Sequence, residues 1–164
     1  SAEMPTEEKK EPSYTDRKKQ KQESGLNTSQ KLLLTWLTTD PALLGKVKGI
    51  LTAEDFTDEF YYGAAKEVFD QYEKEGTVTP ARILNRYETK EEQAKAAELF
   101  QTTLLGDLDE VQKAKAFAET VRKVKQSSIE MRMGRAAETG DLEAMQKAIA
   151  EQASLNTTLQ KAGL

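Results

Sequence analysis

The chain has 164 residues, a formal net charge of -4, and neither cysteine nor histidine. Those two absences exclude disulfides, thiolate nucleophiles, cysteine-type zinc sites, and the commonest general base and transition-metal ligand. No apolar run approaches bilayer length and no charged-then-apolar leader opens the sequence, so the chain reads as a cytoplasmic protein without membrane contact.

The charge is unevenly placed. In residues 1–25 six acids balance six bases, and from Gly106 onward nine match nine, so the whole excess lies between Leu26 and Leu105. An acidic middle argues against a duplex-binding surface, because phosphate neutralisation supplies most non-specific affinity, and no direct nucleic-acid binding is expected. Residues 1–26 carry Pro5, Pro12 and Gly25, lack an apolar period and are expected to form a flexible charged linker. Within it, Arg17-Lys18-Lys19-Gln20-Lys21 could touch nucleic acid or a membrane surface, but flanking acids and the lack of interleaved aromatics favour a solvated linker.

From Thr28 the apolar period becomes helical and stays so. A first helix is expected from about Thr28 to Thr38. Asp40 can cap the next, with Pro41 in its first turn, where a missing amide hydrogen costs nothing. That helix runs to Lys48, and Thr52-Ala53-Glu54-Asp55-Phe56 makes a short acidic turn that drops an aromatic inward. A long helix follows from Asp58 to Glu75, closed by Gly76 in a left-handed cap. Its stripe of Phe60, Ala64, Val68 and Tyr72, flanked by Tyr61, Ala65 and Phe69, reads as core, with Trp36 and Phe56 as its natural partners. Thr79-Pro80 opens a short helix to Tyr87, and Thr89 with Glu92 forms a capping box for a helix to Leu105, ended by Gly106.

Val111, Ala114, Phe117, Val121 and Val124 then keep a clean stripe until Gln126-Ser127-Ser128 interrupts it. The break reads either as ordinary exposed helix or as a hinge, and the hinge is the preferred reading. Beyond it Ile129, Met133 and Ala136 or Ala137 line another face as far as Thr139-Gly140. Asp141 caps a last helix carrying Leu142, Met145, Ile149, Leu155 and Leu159. The expected architecture is therefore all-α: a helical bundle over residues 27–125 and a C-terminal helical hairpin over residues 126–164. A hairpin of two thin helices buries little, so it either folds back on the bundle or offers its apolar face to a partner. Met131, Met133 and Met145 suit such an adaptable surface.

Catalytic readings fare poorly. The carboxylates of Glu54, Asp55, Asp58 and Glu59 could attract a divalent cation, yet their spacing is not that of a calcium loop, and helix dipoles account for acids there equally well. Gly45-Lys46 lacks the preceding glycine and following hydroxyl of a phosphate loop. Serine and threonine nucleophiles would need a partner that sequence alone does not show. No catalytic, cofactor or metal residue is expected.

The order of Leu32 to Leu37, then Asp40-Pro41-Ala42-Leu43-Leu44, then Leu51-Thr52-Ala53-Glu54-Asp55-Phe56, then Asp58 to Gln71, resembles the helicase-binding domain at the C-terminus of bacterial DNA primases (DnaG). Gly140-Asp141-Leu142-Glu143-Ala144 adds a second matching feature, and the likeness runs from about Lys31 to the last residue. The resemblance implies a fold similar to the N-terminal domain of the replicative helicase (DnaB). It also implies a role without chemistry: docking the primer-synthesising enzyme onto the N-terminal domains of the hexameric helicase at the bacterial fork and stimulating both. The zinc and magnesium of the parent enzyme would belong to domains outside this chain. Helicase contact is predicted at Ile129, Met133, Met145, Ile149, Leu155 and Leu159, with Arg132 and Arg135 at the rim. The helicase's own N-terminal domain is the nearest alternative, and an unrelated helical adaptor or helical hydrolase the more distant one.

Overall fold

The computed structural model describes residues 13–101 and 106–164, and every regular element among them is helical. The helices are α1 (Tyr14–Thr39), α2 (Pro41–Val47), α3 (Glu59–Glu75), α4 (Pro80–Leu84), α5 (Lys90–Gln101), α6 (Glu110–Thr139) and α7 (Leu142–Lys161), with a single 3-10 turn at Ala53–Asp55. The expected all-α class holds.

The second half of α1 is the central post. Gln30, Leu33, Leu34, Thr35, Trp36 and Leu37 are all buried, so this part of the helix is covered on every side. Helices α2, α3, α5 and α6 surround it. Two of its buried polar side chains are tied: Thr35 Oγ1 donates to the Lys31 carbonyl at 3.0 Å, and Gln30 Nε2 donates to Thr57 Oγ1 at 2.8 Å. Gln30 Oε1 also accepts from the Asp58 amide at 3.1 Å, tying α1 to the start of α3.

The helix begins at Tyr14, not at Thr28, so the expected linker is helical over residues 14–26; residues 1–12 lie outside the described residues. Lys, Gln and Glu dominate residues 17–23, and these are good helix formers. Extending a packed helix backwards through them avoids the cost of a new nucleus, which overrides the single Gly25.

The caps follow the sequence closely. Asp40 accepts from the Ala42 amide at 3.0 Å with Pro41 in the first turn, and Asp58 accepts from the Tyr61 amide at 3.1 Å. Gly76 and Gly140 close α3 and α6 at φ 71° and 69°, where a side chain would be strained. The Glu92 amide donates to Thr89 Oγ1 at 3.1 Å, one of the two bonds of the expected box, whereas the end expected for α5 near Leu105 lies outside the described residues. At α6 a reciprocal box joins Asp109 and Gln112: the Gln112 amide donates to Asp109 Oδ1 and the Asp109 amide to Gln112 Oε1.

Two packing expectations change. Ala64, Ala65 and Val68 are the buried centre of α3, while Phe60, Tyr61, Phe69 and Tyr72 are half-buried and lean on the core. Phe56 meets Phe69 edge to face at 6.4 Å, as the α3 stripe implies, but Trp36 packs on Phe117 of α6 at 5.8 Å. Burial raises the phenol pKa of both Tyr61 and Tyr87.

Phe56 is 2 % exposed and carries the turn into the core. Phe56→Ala is expected to cost about 3–5 kcal/mol in urea unfolding, in line with other buried Phe truncations. A cost under about 1 kcal/mol would show that the turn does not depend on this anchor.

Candidate functional site

Helices α6 and α7 form a hairpin that shares the bundle's apolar core, and one buried carboxylate of the bundle reaches it. Asp55, in the 3-10 turn, is only 4 % exposed. Its Oδ2 accepts from the Thr52 amide at 2.9 Å, and its Oδ1 accepts from Ser128 Oγ at 2.7 Å. Lys125 Nζ lies 3.3 and 3.2 Å from the two oxygens, and Arg132 Nη2 stands 3.8 Å from Oδ1. Lys125, Ser128 and Arg132 fall on successive turns of one face of α6, so a single straight helix presents all three.

The network continues onto α7. Glu151 is 3.7 Å from Lys125 Nζ and accepts from Arg132 Nη1. Two cations of α6 thus sit between one carboxylate of the bundle and one of α7. The Lys125 side chain is 11 % exposed, so the pair with Asp55 is largely screened from water, where charge-assisted hydrogen bonds are strong and orphaned charges costly. Arg122 of α6 adds a second tie by donating to Asn156 of α7.

This arrangement changes the reading of Gln126-Ser127-Ser128. The segment is unbroken α6, and Ser128, 2 % exposed, is the donor that reaches Asp55. The apolar stripe rotates there in sequence because α6 hands its buried face from the bundle to α7. The boundary expected between residues 125 and 126 falls inside this continuous helix.

The eight residues predicted for partner contact separate into three groups. Ile129, Leu155 and Leu159 are 1 %, 7 % and 1 % exposed and belong to the continuous core, not to an open face. They fill the seam where α7 lies on α6, which is how a thin hairpin avoids being marginal. Arg132 is committed to Glu151 and Asp55, and Met133 is half-buried against the core. Arg135, Met145 and Ile149 remain at the surface beyond the network, with Met145 half-buried and Ile149 48 % exposed.

Leu142, not among the predicted contacts, joins them at 76 % exposure. Leu142, Met145 and Ile149 recur at helical spacing, so α7 carries a short apolar stripe beside its buried one.

The acidic cluster is divided by the fold. Asp55 is taken into the network, Asp58 caps α3, and the Thr52 hydroxyl hydrogen bond holds the Glu54 carboxyl below its ordinary pKa. Among the described residues no group of acidic side chains is arranged to hold a metal ion, and no helix is long and apolar enough to cross a membrane. No known protein family, curated protein or solved structure matches the chain.

Removing the Asp55 carboxylate leaves Lys125 charged in a largely buried place. Asp55→Ala is expected to cost about 3 kcal/mol or more in urea unfolding. Ser128→Ala, which removes one hydrogen bond to a charged group, is expected to cost about 1.5–3 kcal/mol. In the Asp55→Ala background the Ser128→Ala cost should fall well below that value, and additive costs would show that the two groups do not act together.

Proposed function

We propose that this chain is the helicase-binding domain of a bacterial primase, docking that enzyme onto the N-terminal domains of the hexameric replicative helicase without chemistry of its own. The observation that carries the reading is the apolar stripe of Leu142, Met145 and Ile149 on α7, with Leu142 and Ile149 exposed and Met145 half-buried. Apolar anchors left uncovered at a surface are the composition of the centre of a protein interface. The motifs that carry the resemblance support it further, since they fold as α1, α2, the 3-10 turn and α3 in the implied order. On this reading the bundle would have the fold of the helicase's own N-terminal domain.

The bundle's part is to hold the tip still. A rigid hairpin loses less freedom on binding than a swinging one, so the Asp55 network would raise affinity without touching the partner. No acidic or basic field is needed for such a contact, which suits the balanced charge from Gly106 onward.

Titration of the chain into a bacterial replicative helicase, with fork unwinding followed in parallel, tests the proposal. Leu142→Glu combined with Ile149→Glu changes two exposed positions and is expected to leave the fold intact while weakening binding at least about tenfold, the loss typical of a hot spot. Val111→Glu, at a 79 % exposed apolar position at the start of α6, should bind as the parent does. Undiminished binding by the double variant would refute the hairpin site. Binding to intact primase instead of helicase would identify the chain as the helicase's N-terminal domain.

A further inference from the structure

Helix α7 has three faces that differ in kind. Ala148, Leu155 and Leu159 form its buried face, packed on α6. Glu143, Lys147 and Glu151 follow one another at four-residue spacing along a second, and Lys161, five full turns after Glu143, falls in the same row. The third face carries Leu142, Met145, Ile149, Gln152, Ala153 and Gln160, all exposed except the half-buried Met145, and none of the helix's charges lies on it.

Charged residues make up 32 % of the chain, yet this face runs about 27 Å without one. A face meant for water alone is served by charge, as the row beside it is, whereas the centre of a protein interface is depleted of charge and holds apolar anchors. At its edge Arg122 of α6 already donates to Asn156, so it does not call for an acid on the partner. Met145, Ile149 and Ala153 stand four residues apart, a ridge that falls away to a small side chain and leaves a groove for the ridge of another helix.

The size of the face bears on its occupant. A helix about 10 Å wide laid along it covers on the order of 300 Å² per partner, against about 800 Å² in a stable two-chain interface. A second copy of this chain gains too little there to hold as a dimer, while a transient contact with a larger partner fits.

We propose that α7 docks along the whole of this face, from Leu142 to Gln160, onto one amphipathic helix of the partner whose docking side is likewise uncharged. The proposal rests on the helicase reading for the partner's identity, and extends the contact about four turns beyond the Leu142 end of α7. Because no ion pair is called for, affinity should depend little on salt.

The test is titration of the full chain into a bacterial replicative helicase at about 0.05 M and about 0.5 M salt, where the dissociation constant should rise less than about threefold. Ala153→Glu and Ser154→Glu place the same charge at neighbouring exposed positions, the first on the uncharged face and the second beside the charged row. Ala153→Glu should weaken binding about tenfold or more and Ser154→Glu should leave it unchanged, both unfolding in urea as the parent does. Full binding by Ala153→Glu, with loss only in the Leu142→Glu, Ile149→Glu double variant, would confine the contact to the tip; this inference would fall and the helicase reading would stand. Equal loss in Ser154→Glu, or a loss beyond about tenfold at high salt, would also overturn it. Absence of binding by the parent would sink both, and a concentration-dependent dimer in sedimentation would assign the face to a second copy instead.

Discussion

The architecture turns on the burial of the Asp55 carboxylate. A short acidic turn leaves the bundle, and its one inward carboxylate accepts from Ser128 at 2.7 Å and pairs with Lys125 at 3.2 Å. Those partners lie 73 and 70 residues away in sequence. Because charges so placed are expensive to leave unpaired, the rotation and height of α6 are constrained to those that bring Lys125 and Ser128 to Asp55. That constraint fixes where α6 crosses the bundle. Glu151 then fixes α7 through Arg132 and Lys125.

From this anchor the division of labour along α6 follows. Its first half buries Phe117, Val121 and Val124 against the bundle, and its second half buries Ile129 and Ala136 under α7. A helix of 30 residues is about 45 Å long, enough to belong to two packing units at once. The apolar tip of Leu142, Met145 and Ile149 is carried beyond the ionic network on a rigid arm. On the proposed function that geometry presents an interface already organised for its partner, and the cost of ordering is met in folding.

Much of the fold was legible in local chemistry. Asp40-Pro41, Asp58, Asp141, Gly76 and Gly140 each act within a turn of the chain, so their roles as caps can be read from a few neighbours. The long-range ties left no such trace. An acid at a helix start reads as a dipole partner, and a serine pair in a long helix reads as weak or exposed, until Asp55 and Ser128 are brought together. The N-terminal extension of α1 was missed because charge and the lack of an apolar period suggested a linker, whereas propagation from a packed helix needs neither. Within the candidate site, Ile149 is exposed and Met145 half-buried, whereas Ile129, Leu155 and Leu159 are buried; an amphipathic stripe alone does not say whether it faces a partner or its own bundle.

The most direct test of the Asp55 anchor is a distance measurement between bundle and hairpin. The chain has no cysteine, so spin labels on Glu91→Cys and Gln146→Cys, both at exposed positions, report one distance by pulsed electron resonance. A single narrow distribution that broadens when Asp55→Asn is added is the expected result. A broad or two-peaked distribution in the parent, or one untouched by Asp55→Asn, would contradict the anchor.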